Sequence, residues 1–140
     1  MKQRTLLLVE DNKGCRKAFS RALKHQGWYV LEASTVSGAI GHLDGLSVDV
    51  VLTDYCLSSE KTGIDVVLHA QRKGIPCVLW SGDPHSVPST PGRMDAVTTV
   101  YDKVLGLTPS SPVTRLLAEL VENQTIQYGD GVKTVRAGGG

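Results

Sequence analysis

The chain has 140 residues, 41% of them hydrophobic, and a formal net charge of +1. Those values fit one domain with a buried core, and the near-neutral balance gives no reason to expect direct nucleic-acid binding or a membrane surface as a partner. No apolar run is long enough to cross a bilayer, and the apolar stretch before Glu10 is too short for a signal peptide. The odd and widely spaced Cys15, Cys56 and Cys77 suit a reducing, cytoplasmic setting better than a disulfide framework.

Leu6-Leu7-Leu8-Val9 is a continuous apolar run, the pattern of a strand buried on both faces of a parallel sheet. A helix is expected next, with Cys15, Phe19, Ala22 and Leu23 on one side, Arg16, Lys17, Arg21 and Lys24 on the other, and Gly27 ending it. Trp28 to Leu31 reads as a second strand. Ser34 is placed to cap a helix carrying Val36, Ala39, Ile40 and Leu43. Val48 to Thr53, rich in β-branched residues, is a third strand. Ile64, Val67 and Leu68 mark a helix stopping near Gly74, and Pro76 introduces a strand over Cys77 to Trp80. Between Gly82 and Asp95 stand Pro84, Pro88 and Pro91, so the fourth helix is expected to be irregular. Val97 to Tyr101 reads as a fifth strand, and Ser111-Pro112 opens a last helix through Leu120. Residues 1–122 thus form one domain. The tail, 123–140, reads either as disordered or as a β-hairpin pairing Thr125–Tyr128 with Val132–Val135.

Alternating strands and helices predict an α/β fold: a flavodoxin-like, doubly wound parallel sheet of five strands in the order 2-1-3-4-5. In such sheets ligands sit at the carboxyl ends of the strands. Those ends carry Glu10-Asp11, Asp54, Ser81-Gly82 and Tyr101-Asp102-Lys103. Crowded carboxylates repel one another unless a cation compensates, and Mg²⁺ takes oxygen ligands. A carboxylate can itself act as a nucleophile toward phosphorus, with lysine as a point charge for a phosphoryl oxygen.

In its motifs the chain resembles a two-component response-regulator receiver domain over residues 4–122, and its third-strand region resembles receivers attached to hybrid sensor kinases. The resemblance rests on Leu7-Leu8-Val9-Glu10-Asp11-Asn12, Val51-Leu52-Thr53-Asp54-Tyr55, Thr62-Gly63-Ile64-Asp65, Ile75 through Gly82, and Lys103. It implies that Asp54 is the phosphoacceptor and that Asp11, Glu10, Asp54 and the Cys56 carbonyl hold Mg²⁺. Ser81 and Lys103 would contact the phosphoryl group. It further implies a sensor histidine kinase or phosphotransfer domain as donor, a downstream protein target, and a signalling protein rather than an enzyme.

Three departures stand out. Val104 occupies the place of the usual proline after the lysine, and Ser58 the place of another after the acceptor. The usual aromatic switch position is Val100, with Tyr101 one residue later and expected to face the other way. The missing proline and the irregular fourth helix favour, as the alternative, a receiver-like interaction module that works without phosphorylation. Dinucleotide and flavin binding are disfavoured because the loop after the first strand is acidic instead of glycine-rich. An aspartyl phosphatase is disfavoured because Cys56 stands where its second acid would be.

Overall fold

The computed structural model describes residues 3–57, 61–87 and 100–130, with side chains through 122. Five strands, β1 (Thr5–Val9), β2 (Tyr29–Ala33), β3 (Val50–Asp54), β4 (Cys77–Ser81) and β5 (Val100–Asp102), form one parallel sheet in the order β2-β1-β3-β4-β5. The helices are α1 (Lys13–His25), α2 (Val36–Gly45), α3 (Gly63–Arg72) and α4 (Pro112–Asp130). The expected strand order is the observed one.

The apolar runs follow from burial on both sides. Every residue of β3 and Leu6 to Val9 of β1 is buried. One face of the sheet presents Leu6, Leu8, Val50, Leu52, Val78 and Trp80 to Leu23 of α1 and to Val113, Leu117 and Val121 of α4. The other presents Leu7, Val9 and Val51 to Val36, Ala39 and Leu43 of α2 and to Val66 and Ala70 of α3. Burial on this scale supplies the main drive to fold, roughly 25 cal/mol per Å² of apolar area removed from water.

Local signals set the helix ends. Asn12 caps α1, its Oδ1 accepting from the Cys15 N–H at 2.8 Å. The cap of α2 is Thr35 rather than the expected Ser34: its hydroxyl accepts from the Gly38 N–H at 2.9 Å. Thr62 and Asp65 form a reciprocal capping box at α3, with the Thr62 N–H donating to Asp65 Oδ2 at 2.9 Å. Thr62→Ala should therefore cost about 1 kcal/mol, read as a lower urea midpoint with an unchanged slope. Gly27 and Gly74, just past α1 and α3, have φ of 99° and 73°, a region open to glycine at little cost.

Other expectations are corrected. β2 lies at Tyr29–Ala33 and β3 at Val50–Asp54, each shifted toward the carboxyl end. After β4 comes a 3₁₀ turn, Pro84–Ser86, and residues 88–95 of the expected irregular segment lie outside the described residues. So do Val97 to Thr99 of the expected fifth strand. The backbone of α4 runs on to Asp130, so Thr125–Tyr128, the first strand of the hairpin alternative, is helical. Its polar and β-branched residues have modest helix propensity, but a helix already nucleated extends at low cost. Residues 131–140 lie outside the described residues.

Helix α1 carries Lys13, Arg16, Lys17, Arg21, Lys24 and His25 and no acidic residue. Arg16 and Lys17 reach Glu32 on the edge strand β2, at 3.4 and 3.8 Å.

Candidate functional site

The carboxyl end of β1 delivers Glu10 and Asp11, and the end of β3, the neighbouring strand, delivers Asp54. Because β1 and β3 pair in parallel, with Val9 opposite Thr53, the two acidic ends arrive side by side. Oxygen atoms of Glu10, Asp11 and Asp54 all lie within 4.8 Å of one another. Glu10 and Asp54 are buried, with relative exposures of 1% and 5%.

Lys103, just after β5, closes the cluster. Its Nζ donates to Glu10 Oε1 at 2.6 Å and to Asp54 Oδ2 at 3.1 Å. The Asn12 N–H donates to Glu10 Oε2 at 3.2 Å, and Arg16 holds the Glu10 carbonyl at 2.9 Å. On Asp54, the Cys56 N–H donates to Oδ1 at 3.3 Å and the Thr53 hydroxyl to the main-chain carbonyl at 3.0 Å. Buried charge without such partners is unstable; here Glu10 and Asp54 each have a donor on both carboxylate oxygens.

The balance is incomplete. Burial raises the Glu10 pKa above the ordinary 4.5, the hydrogen bond from Lys103 only partly offsets this, and the Asp54 charge adds to the rise. Burial works to lower the Lys103 value, but hydrogen bonds to Glu10 and Asp54 outweigh it and leave the ammonium more firmly protonated than usual. The Cys56 side chain is exposed, yet desolvation and then the nearby Asp54 and Asp11 charges raise its thiol pKa, so it is held as a thiol.

Ser81 ends β4 in a buried position, and its hydroxyl accepts from the Asp83 N–H at 3.0 Å. β4 sits between β3 and β5 in register: Trp80 lies opposite Asp54 on one side and Tyr101 on the other. Tyr101 packs into the α1–α4 core, whereas Val100 faces Val67 and Leu79 on the α3 side. The strand alternation expected of these two residues is therefore present. Val104 is 83% exposed.

The sequence motif Thr62-Gly63-Ile64-Asp65 includes Gly63 but does not by itself reveal what the glycine does. Its N–H donates to the Tyr55 carbonyl at 2.9 Å, tying the start of α3 to the end of β3. A Cβ there would stand 2.2 Å from the Asp54 carbonyl oxygen and 2.8 Å from Leu79 Cδ1. Only glycine lets α3 approach the acidic strand end this closely.

No family model matches the chain. It is 29% identical over 106 residues to the probable transcriptional regulatory protein TcrX of Mycobacterium tuberculosis; the match covers 74% of this chain but 39% of TcrX. Among solved structures, it superposes on the signal receiver domain of a putative LuxO repressor protein from Vibrio parahaemolyticus with a TM-score of 0.69. That likeness has 14% identity and covers 89% of this chain and 97% of the other. The chain has the receiver-domain fold. The same fold aligns with the response regulator TrrA of Thermotoga maritima, a structure in complex with Mg²⁺ and BeF, at a TM-score of 0.65 and 17% identity. That alignment covers 86% of this chain and 98% of TrrA. Open α/β sheets bind ligands beyond the carboxyl ends of their strands, where the Glu10–Asp11–Asp54 cluster of this chain lies. No described helix is long and apolar enough to cross a membrane.

Proposed function

We propose that this chain is a two-component phosphoacceptor that takes a phosphoryl group on Asp54 and signals by protein contact. The observation that carries the reading is one ammonium, Lys103, bonded at once to two buried carboxylates inside a cluster of three. A surface polar turn has no need of that arrangement. A histidine kinase or phosphotransfer domain in the cytoplasm is the natural donor, and a protein the natural target.

The donor set fits Mg²⁺. Its oxygen ligands would come from Glu10, Asp11, Asp54 and the Cys56 carbonyl, and the burial penalty that Lys103 leaves on Glu10 is what a divalent cation would remove. When bound, the ion would neutralise phosphoryl charge and orient the donor. The rest falls to the chain itself. An Asp54 carboxylate oxygen forms the new bond to phosphorus while the donor's leaving group departs with its bonding pair. The ammonium of Lys103, already on Asp54 Oδ2, turns an N–H to one phosphoryl oxygen. The Ser81 hydroxyl, held by the Asp83 N–H, offers its proton to another. The protein is consumed stoichiometrically, so it acts as a signalling module and not as a turnover enzyme.

The phosphorylation-independent interaction module remains a distinct reading. It is favoured by the packing of Tyr101 into the core, away from the α3 side where an aromatic switch would move. Incubation with acetyl phosphate and Mg²⁺, followed by intact-mass measurement, separates the two. Wild type should gain one phosphoryl mass, Asp54→Asn none, and Asp11→Ala little. An unlabelled wild type would favour the module; equal labelling of Asp54→Asn would overturn the assignment.

A further inference from the structure

The Lys103 ammonium has a third neighbour that the acidic cluster does not explain. It lies 5.7 Å from the centroid of the Phe19 ring, over its face. Phe19 sits on α1, in the side of the helix packed on the sheet. Its ring is 4.9 Å from the ring of Trp80, tilted by 54°. Trp80 is fully buried, precedes Ser81, and lies between Asp54 and Tyr101 in the sheet register. Its indole N–H is buried without a hydrogen-bond partner among the described residues.

We propose that Phe19 is a positioning residue: its ring steers the Lys103 ammonium onto Glu10 and Asp54 and links the place of that ammonium to Trp80. A ring face attracts a cation through its quadrupole, and the attraction grows when water is excluded. The lysine side chain is only 18% exposed, so the ring replaces solvent on one side of the ammonium and leaves the carboxylates on the other. A lysine stem has many rotamers, and each wall of this kind removes some of them. The tilted Phe19–Trp80 pair prefers its own geometry, so moving Lys103 off the ring changes what Trp80 packs against. On this view a change at the strand ends reaches the α1–α4 face, where Trp80 and Tyr101 belong to the same apolar cluster as Val113, Leu117 and Val121 of the last helix. The proposal takes the Asp54 site as read above, but the contact it concerns exists without phosphorylation.

The test is a double-mutant cycle in metal-free, unphosphorylated protein, combining Phe19→Leu with Lys103→Met and reading the unfolding equilibrium in urea. Phe19→Met, similar in volume but without a ring, replaces Phe19→Leu if that variant does not fold. Coupling of about threefold in the unfolding constant is expected, with Phe19→Tyr retaining it. Additive effects, or equal coupling with Leu and Tyr at the position, would overturn the proposal, because a purely packing role is indifferent to the charge of residue 103. A second readout uses a Trp28→Phe background, in which Trp80 is the sole tryptophan. There Lys103→Met should shift its emission when Phe19 is present and leave it unchanged in Phe19→Leu; a shift of the same size in both would again count against it. Failure of the cycle leaves acetyl phosphate labelling of Asp54 intact, and failure of labelling leaves the cycle intact, so the two readings fall separately.

Discussion

Lys103→Met is expected to destabilise the metal-free protein by about 3 kcal/mol near neutral pH, since removing one partner strands the buried charges of the other. Two carboxylates, one of them 1% exposed, would lose the ammonium that bonds both. The pH dependence has a definite sign. Glu10 is already raised above 4.5 on folding, and without Lys103 it should rise further. A carboxyl raised on folding holds its proton more tightly in the folded state, so stability falls as pH climbs from the unfolded value through the folded one. The deficit of the variant should therefore be smaller at about pH 5 than at about pH 7. At the alkaline end it is wild type whose stability changes. The Lys103 value is raised above 10.5, so its contribution is complete below that pH and disappears as pH rises through the folded value. Wild type should lose stability there and the variant should not. Urea titrations at three pH values test this, and a deficit independent of pH would show that the ion pairs are not its source.

Gly63→Ala should have an effect of similar size, about 3 kcal/mol, by a different route. The added methyl would meet main-chain atoms of Asp54, at 2.2 Å from the carbonyl oxygen and 3.0 Å from the carbonyl carbon. Those atoms are anchored by β3, so the backbone cannot yield cheaply. Either α3 moves away, losing the bond from Gly63 to Tyr55, or the end of β3 shifts and carries Asp54 with it. Backbone amide shifts at Asp54, Tyr55 and Cys56 should change more than those of β1. A variant with wild-type stability and unchanged amide positions would refute the close approach.

Much of this was legible in the sequence because buried parallel strands leave apolar runs. Leu6–Val9 and Val50–Thr53 identify themselves, and the acids that end them mark the edge where they converge. The clustering of Glu10, Asp11 and Asp54 follows from strand order alone. What was hidden depends on register and facing. Trp80 could be placed beside Ser81 but not assigned to the α1 side, because β4 is apolar on both faces. The contact of Phe19 with Lys103 joins residues 84 positions apart on elements with no shared motif. Thr35 and Ser34 are equivalent as caps by residue type, and only the backbone decides between them. The extension of α4 beyond Gln124 was obscured by an alternating polar pattern that also suits a strand.

Helix α1 gathers five lysines and arginines and no acid, in a chain whose net charge is only +1. The remainder is thus net acidic, with three of its carboxylates collected at the end of β1 and β3 beside the start of that same helix. Near neutrality conceals an uneven allocation of charge among the elements. A macromolecule meeting this protein in dilute solution would feel its orientation before touching it, out to about 10 Å at 0.1 M salt. Encounter would be guided by α1 when the incoming surface is acidic. Such guidance acts on the rate of association, and it fades as ionic strength rises even where the final contacts stay the same.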